Sequence, residues 1–245
     1  MKIIAALACR NNSRRLYGKP LQLLEEVTVL GYIVNNLRAR PEIDEIVLAI
    51  SEARGNDAFI EYAEKENLKY VSGDDRDVLM RLIWACESAG GDTLYRVTSE
   101  SPYGYLDGLT EAIKSHKEQD ADYTTHGNLP DGVMFELIKL EALKISHEKG
   151  ECKHRSELVT LYINENPEIF KLNILQIAKK WQRPDYRLTI DFPEDLILCR
   201  QIMRHFGGDS KHIPYVDLIK YLDANPQMLK LVENITDSNY IKPYH

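Results

Sequence analysis

The sequence predicts an α/β fold, a doubly wound and mostly parallel sheet with a small mixed α/β lobe, and three observations lead there. Short apolar runs at residues 3–8, 46–50 and 94–98 are rich in Ile, Val and Leu, as parallel strands covered on both faces are. Longer segments with helical spacing separate them. The chain of 245 residues is 44% hydrophobic, enough for one sizeable core.

The first strand, Ile3-Ile4-Ala5-Ala6-Leu7-Ala8, runs directly into a polar, cationic loop. In the next segment Leu30, Ile33, Val34 and Leu37 fall on one helical face, Asn35, Asn36, Arg38 and Arg40 stay wet, and Pro41 stops the helix. After the strand at 46–50, residues 56–66 read as a helix opened by Asn56, with Phe59, Ile60 and Ala63 turned inward. Residues 76–89 read as a third helix with a Val78, Leu79, Leu82, Ile83 stripe, ended by Gly90-Gly91. Beyond the strand at 94–98, residues 121–140 hold two β-like runs around the turn formers Gly127 to Gly132. Residues 169–177 and 186–190 read as further β-rich stretches, and a helix opens near Pro193. With no internal repeat, residues 1–245 read as one domain in two halves, one to about 120 and a mixed one from about 121.

The formal net charge of −7 argues against a nucleic-acid partner, so the cationic loop is a local site in an acidic protein. No apolar stretch approaches the roughly 20 residues of a membrane span, and the N-terminal run is too short for a secretory signal. A cytoplasmic location is therefore expected. Cys9, Cys86, Cys152 and Cys199 are scattered and fit reduced thiols. Cys9 lies beside the loop, where cations would lower its pKa; as the alternative it is a small residue filling the strand end.

The loop Arg10-Asn11-Asn12-Ser13-Arg14-Arg15-Leu16-Tyr17-Gly18-Lys19 has the composition of a polyphosphate site, because fixed cations and backbone N–H groups can converge on anionic oxygens. It is neither a Walker A loop nor a dinucleotide fingerprint. It resembles the signature A-R-x-x-S-x-R-L-P-G-K-x-L of the cytidylyltransferase family, which includes the acylneuraminate and CMP-Kdo synthetases and a spore-coat polysaccharide branch. Arg10, Ser13, Arg15, Leu16, Gly18, Lys19 and Leu21 match, while Tyr17 stands where the family usually has proline.

Two further segments carry the resemblance. Arg96-Val97-Thr98-Ser99-Glu100-Ser101-Pro102 is similar to the R-x-T-x-D-x-P of the spore-coat branch, with Glu100 in place of the family's metal-binding aspartate. Arg187-Leu188-Thr189-Ile190-Asp191-Phe192-Pro193-Glu194-Asp195 resembles R-L-T-[VI]-D-x-P-E-D, where the first aspartate gives the metal its second carboxylate. Read from its neighbours alone, Asp191 is equally a cap for the helix at Pro193, with Glu194 and Asp195 in the first turn as partners of the dipole. Smaller matches are Gly73 to Arg81 with G-x-x-x-D-V-L-x-R, Pro130-Asp131-Gly132 with Glu136, and Ser156 to Thr160 with x-E-H-V-T, where Leu158 replaces the histidine. Asp77 is a candidate helix cap, and Arg81 either a structural ion-pair partner or a substrate contact. Asp223 to Pro226 and Asn234 fit the tail of the same branch.

The resemblance implies a Rossmann-like nucleotidyltransferase fold and an Mg²⁺-dependent transfer of CMP from CTP to a sugar or related acidic acceptor, with release of pyrophosphate. Arg10, Arg15 and Lys19 would be the catalytic cations. Ala8, Ser13, the Gly18 backbone, Arg96 and Thr98 would join them in binding the nucleotide. Glu100 and Asp191 would hold Mg²⁺, and Arg81, Glu136 and Glu157 would face the acceptor. A homodimer is expected. Two alternatives stay open: the same fold with another nucleotide, such as GTP with an amino-sugar phosphate, or a nucleotide-binding protein without turnover, suggested by Glu100 and Leu158.

Overall fold

The computed structural model describes residues 1–209, 211–233 and 235. In chain order the elements are β1 (Ile3–Cys9), α1 (Val29–Arg38), β2 (Glu45–Ser51), α2 (Asp57–Lys65), β3 (Lys69–Gly73), α3 (Val78–Ser88), β4 (Thr93–Arg96) and α4 (Leu109–Glu118). There follow β5 (Tyr123–Gly127), β6 (Glu136–Lys139), α5 (Leu140–Lys149), α6 (Leu161–Glu165), β7 (Leu172–Gln176), α7 (Pro193–His205), α8 (Tyr215–Ala224) and α9 (Pro226–Leu229). One seven-stranded sheet takes the order β3-β2-β1-β4-β6-β5-β7. β6 alone runs antiparallel to its neighbours β4 and β5. The strands of the second half thus extend the first half's sheet.

β1 shows why an unbroken apolar run is required at the centre. Its odd residues Ile3, Ala5, Leu7 and Cys9 enter the core cluster on one face, and Ile4 and Ala6 enter the cluster on the other. α3 and α5 cover the second face, with Leu79, Leu82, Ile83 and Leu143 buried against it. On the first face Leu30, Val34 and Leu37 of α1 pack with Leu198 and Ile202 of α7 and Leu218 and Leu222 of α8. The strand order reverses between the parallel neighbours β1 and β4, which puts a crevice at their carboxyl ends.

Local differences from the sequence reading have physical causes. Residues 186–190 form no strand: one bridge, Asp131 to Arg187, ties this extended segment to the turn at Pro130-Asp131-Gly132. Gly132 lies at φ +81°, and a Cβ there would stand 2.5 Å from the Thr189 nitrogen, so this approach requires glycine. Asn36 is buried rather than wet, its Nδ2 donating to the Tyr32 carbonyl at 2.8 Å. Asp77 caps α3, accepting from the Met80 N–H at 2.9 Å. Asn234 lies outside the described residues. Among those described, no helix is long and apolar enough to cross a membrane.

Candidate active site

A cavity of about 670 Å³ opens at the carboxyl ends of β1 and β4. Ala8, Arg10, Ser13, Arg15, Lys19, Arg81, Arg96, Thr98, Glu100, Glu136, Glu157 and Asp191 line it. The loop after β1 is pinched shut at its base: the Asn11 carbonyl accepts the N–H groups of Ser13 (2.8 Å) and Gly18 (3.0 Å). Gly18, at φ +63°, makes the return turn, and Arg10 and Lys19 leave the pinch on either side. Since its N–H is committed to Asn11, Gly18 shapes the loop in this conformation and is not the phosphate donor expected of its backbone. The Ser13 hydroxyl faces Leu16 N–H at 3.4 Å, and the Ala8 carbonyl accepts from the Ser99 hydroxyl at 2.7 Å.

Asp191 sits where the cations converge. Its Oδ1 accepts from Lys19 Nζ at 2.7 Å and Arg15 Nη2 at 2.8 Å, and its Oδ2 from Arg187 Nη2 at 2.6 Å. Burial alone would raise its pKa, but Lys19, Arg15 and Arg187 together hold it below the usual carboxylate range. Lys19 is itself buried, contrary to a loop cation in open solvent, because the 3₁₀ turn Lys19–Leu21 tucks it beneath the cavity. The second carboxylate, Glu100, stands 3.9 Å from Lys19 Nζ. Its carbonyl accepts the Ile190 N–H at 3.0 Å, while Thr98 and Ser101 hydroxyls bond at 2.6 Å and Ser101 reaches Thr189 at 3.3 Å. These contacts lash the two carboxylate-bearing segments together.

Asp191 does not cap α7. Asp195 does so, accepting the N–H groups of Asp191 (2.8 Å) and Phe192 (2.9 Å) from the helix's first turn. Arg187 joins the whole group, donating to Asp131 (2.9 Å), Asp191 and Asp195 (3.1 Å). Its role escaped the sequence reading, although its place four residues before Asp191 was a usable signal. Among the described residues there is no group of three or more metal-ligating His, Cys, Asp or Glu side chains. Glu100 and Asp191 are a pair of hard oxygen donors, the number Mg²⁺ takes from a protein when substrate phosphates complete its shell.

The other end of the cavity carries Arg96, Met134, Glu136, Glu157 and Leu158. Glu136, only 4% exposed, accepts from Arg96 Nη1, Tyr123 Oη (2.8 Å) and Thr160 Oγ1 (2.9 Å). With three donors on a buried carboxylate, Glu136 orients Arg96 rather than presenting free oxygens to an acceptor, a correction to its expected role. Arg96 Nη2 also donates to the Glu157 carbonyl at 2.8 Å. The Glu157 carboxylate pairs with Arg10 at 3.0 Å on the open rim.

Arg81 is corrected too. Its Nη1 donates to the Ala49 carbonyl at 2.7 Å, its Nε has no partner, and it is 1% exposed. It lines the cavity beside Ala6, Ala8, Val78 and Leu82, under β2, three strands and roughly 14 Å from the strand of Glu136. Burial lowers its pKa, opposed by Asp75. Cys9 is buried beside it, and burial pushes the thiol up to about 12, overriding the nearby cation. Cys9 is the inert filler of the two possibilities.

The model of the cytidylyltransferase family matches residues 3–235. The chain belongs to that family. Family membership makes it a nucleotidyltransferase with a nucleoside triphosphate substrate. The chain is 28% identical over 229 residues to the spore coat polysaccharide biosynthesis protein SpsF of Bacillus subtilis, covering 91% of this chain and 95% of that one. It is also 28% identical over 240 residues to an uncharacterised protein of Methanocaldococcus jannaschii, covering 98% of each. Among solved structures, a cytidylyltransferase from Leptospira borgpetersenii superposes with a TM-score of 0.85 at 24% identity, over 97% of this chain and 99% of that one. A CMP-2-keto-3-deoxy-manno-octonic acid synthetase complexed with CTP gives 0.65 at 11% identity, over 84% and 100%. Both share the α/β nucleotidyltransferase fold.

Proposed function

We propose that the chain transfers CMP from CTP to a sugar or sugar-derived acid for a surface polysaccharide, with Mg²⁺ as the metal. The observation that carries this reading is the triple pairing of Asp191 with Lys19, Arg15 and Arg187. In the ligand-free site the cations and carboxylates neutralise one another. A triphosphate is a stronger competitor for Lys19, Arg15 and Arg10 than a single carboxylate, so its arrival releases Asp191 and Glu100 to a divalent cation. Those two residues would hold Mg²⁺, which supplies charge neutralisation at the triphosphate oxygens.

The acceptor oxygen forms a bond to the α-phosphorus as the bond to the bridging oxygen breaks, and pyrophosphate leaves with that electron pair. An acceptor phosphate or phosphonate is already ionised and needs no base, whereas a sugar hydroxyl must give its proton to a base as it attacks. Positioning and fixed cations then supply most of the rate. Arg81 favours cytosine: it lines the cavity beside the apolar Ala6, Ala8, Val78 and Leu82, and a donor-only guanidinium suits the ring's carbonyl and nitrogen acceptors. Arg96, held by Glu136, is left to face the acceptor together with Met134 and Leu158.

The test is a thermal-shift series with CTP, UTP, GTP and ATP, each with Mg²⁺. A ligand at about 100 times its Kd stabilises by about 2.7 kcal/mol, several degrees for most domains. CTP is expected to give the largest shift. A larger shift with GTP would assign a different base, and no shift with any of the four would overturn the site.

A further inference from the structure

We infer that Asn56, on the connection between β2 and α2, is a positioning residue for the triphosphate loop, acting through Asn11. This rests on the reading that the loop binds polyphosphate. Asn56 occupies the N-terminal cap position of α2, where an asparagine side chain ordinarily accepts from the helix's own N–H groups. Here it makes no such bond. Its Oδ1 accepts the Asn11 N–H at 2.7 Å, and its Nδ2 donates to the Ser51 (2.8 Å) and Ala53 (2.9 Å) carbonyls. Those two carbonyls fix which way the amide faces, so the acceptor oxygen stays aimed at the loop.

Asn11 is the residue whose carbonyl closes the loop onto Ser13 and Gly18, and its Nδ2 also donates to the Gly55 carbonyl. Both asparagines are nearly fully buried, at 4% and 3% exposure, and neither lines the cavity. The pinch from which Arg10 and Lys19 emerge therefore hangs on a side chain 45 residues away that touches no substrate. Loss of that anchor leaves a buried N–H without an acceptor, which the chain relieves by shifting the pinch. A displacement of about 1 Å is enough to spoil convergence on a phosphate.

The experiment compares wild type, Asn56→Ala and Asn173→Ala by calorimetric titration with inorganic tripolyphosphate. Asn173, on β7, donates to Ser115 (2.9 Å) and Thr124 (3.2 Å) four strands from β1, so its loss removes two side-chain hydrogen bonds, against three at Asn56, without touching the loop. Limited trypsin digestion at the exposed Arg14 and Arg15 gives a second readout. Asn56→Ala is expected to weaken tripolyphosphate about tenfold or more and to speed cleavage within the loop, with Asn173→Ala like wild type in both. Wild-type affinity and wild-type cleavage in a folded Asn56→Ala would overturn the positioning role and leave the loop's polyphosphate role standing. Failure of wild type itself to bind tripolyphosphate would overturn both. Should Asn56→Ala not fold, Gly55→Pro is the substitute: at φ +89° the ring cannot be accommodated, so it displaces the same anchor and is held to the same outcomes.

Discussion

Asp191→Asn is expected to lower turnover by 100-fold or more while metal-free CTP binds at least as tightly as to wild type. The two effects have opposite signs for one reason. In the ligand-free site the Asp191 carboxylate competes with the incoming phosphates for Lys19 and Arg15, so neutralising it frees both cations. On the proposed reading the same carboxylate is then missing from the Mg²⁺ site, and stabilisation of this kind contributes about 10²- to 10³-fold. Calorimetry of CTP with and without Mg²⁺ separates the terms: Mg²⁺ should strengthen CTP binding to wild type and not to the variant. A purely structural Asp191 would give unchanged turnover and an unchanged response to Mg²⁺.

Arg187→Leu is expected to produce the largest loss of stability of any single change near the cavity, about 3–5 kcal/mol. Arg187 bridges Asp131, Asp191 and Asp195, and Asp195 is 1% exposed. Without the guanidinium those carboxylates lose the one cation that bridges all three. Arg187→Lys should recover little, because one ammonium cannot reproduce a fork that reaches three carboxylates. Urea midpoints at constant m-value measure both variants, and a loss under 1 kcal/mol for Arg187→Leu would mean that the network is not structural.

Much of this was legible in the sequence wherever chemistry and spacing coincide locally. β1, β2 and β4 announced themselves because central parallel strands must be apolar on both faces, and the stripes of α1 and α3 followed from a 3.6-residue period. β3 was missed because it is an edge strand, Lys-Tyr-Val-Ser-Gly, with solvent along most of its length. The helices α4 and α5 were missed because long polar side chains dominate both. At 186–190 the run Tyr-Arg-Leu-Thr-Ile has strand composition, but Gly132 and Asp131 dock on it at one point and leave no ladder.

In the site, residues of the three motif segments line one cavity: the first two leave β1 and β4 at the sheet's carboxyl edge, and the third is tied there by the Asp131–Arg187 bridge and the Glu100 carbonyl. What a linear reading lacked was the allocation of hydrogen bonds between distant segments. Asn56 reads as a helix cap until Asn11 is seen to claim it, and Glu136 reads as a substrate ligand until Arg96, Tyr123 and Thr160 are seen to saturate it. Arg81 reads as an ion-pair partner or a substrate contact until its burial against the Ala49 carbonyl of β2 is known.

The most direct measurement is calorimetric titration of CTP into wild type and Lys19→Met, a change that keeps the buried stem and removes the charge. If Lys19 exchanges Asp191 for the triphosphate, the variant loses one charge-assisted contact, about 1.5–3 kcal/mol, and binds CTP roughly 10- to 150-fold more weakly. Equal affinity for CTP in wild type and a folded Lys19→Met would contradict the exchange.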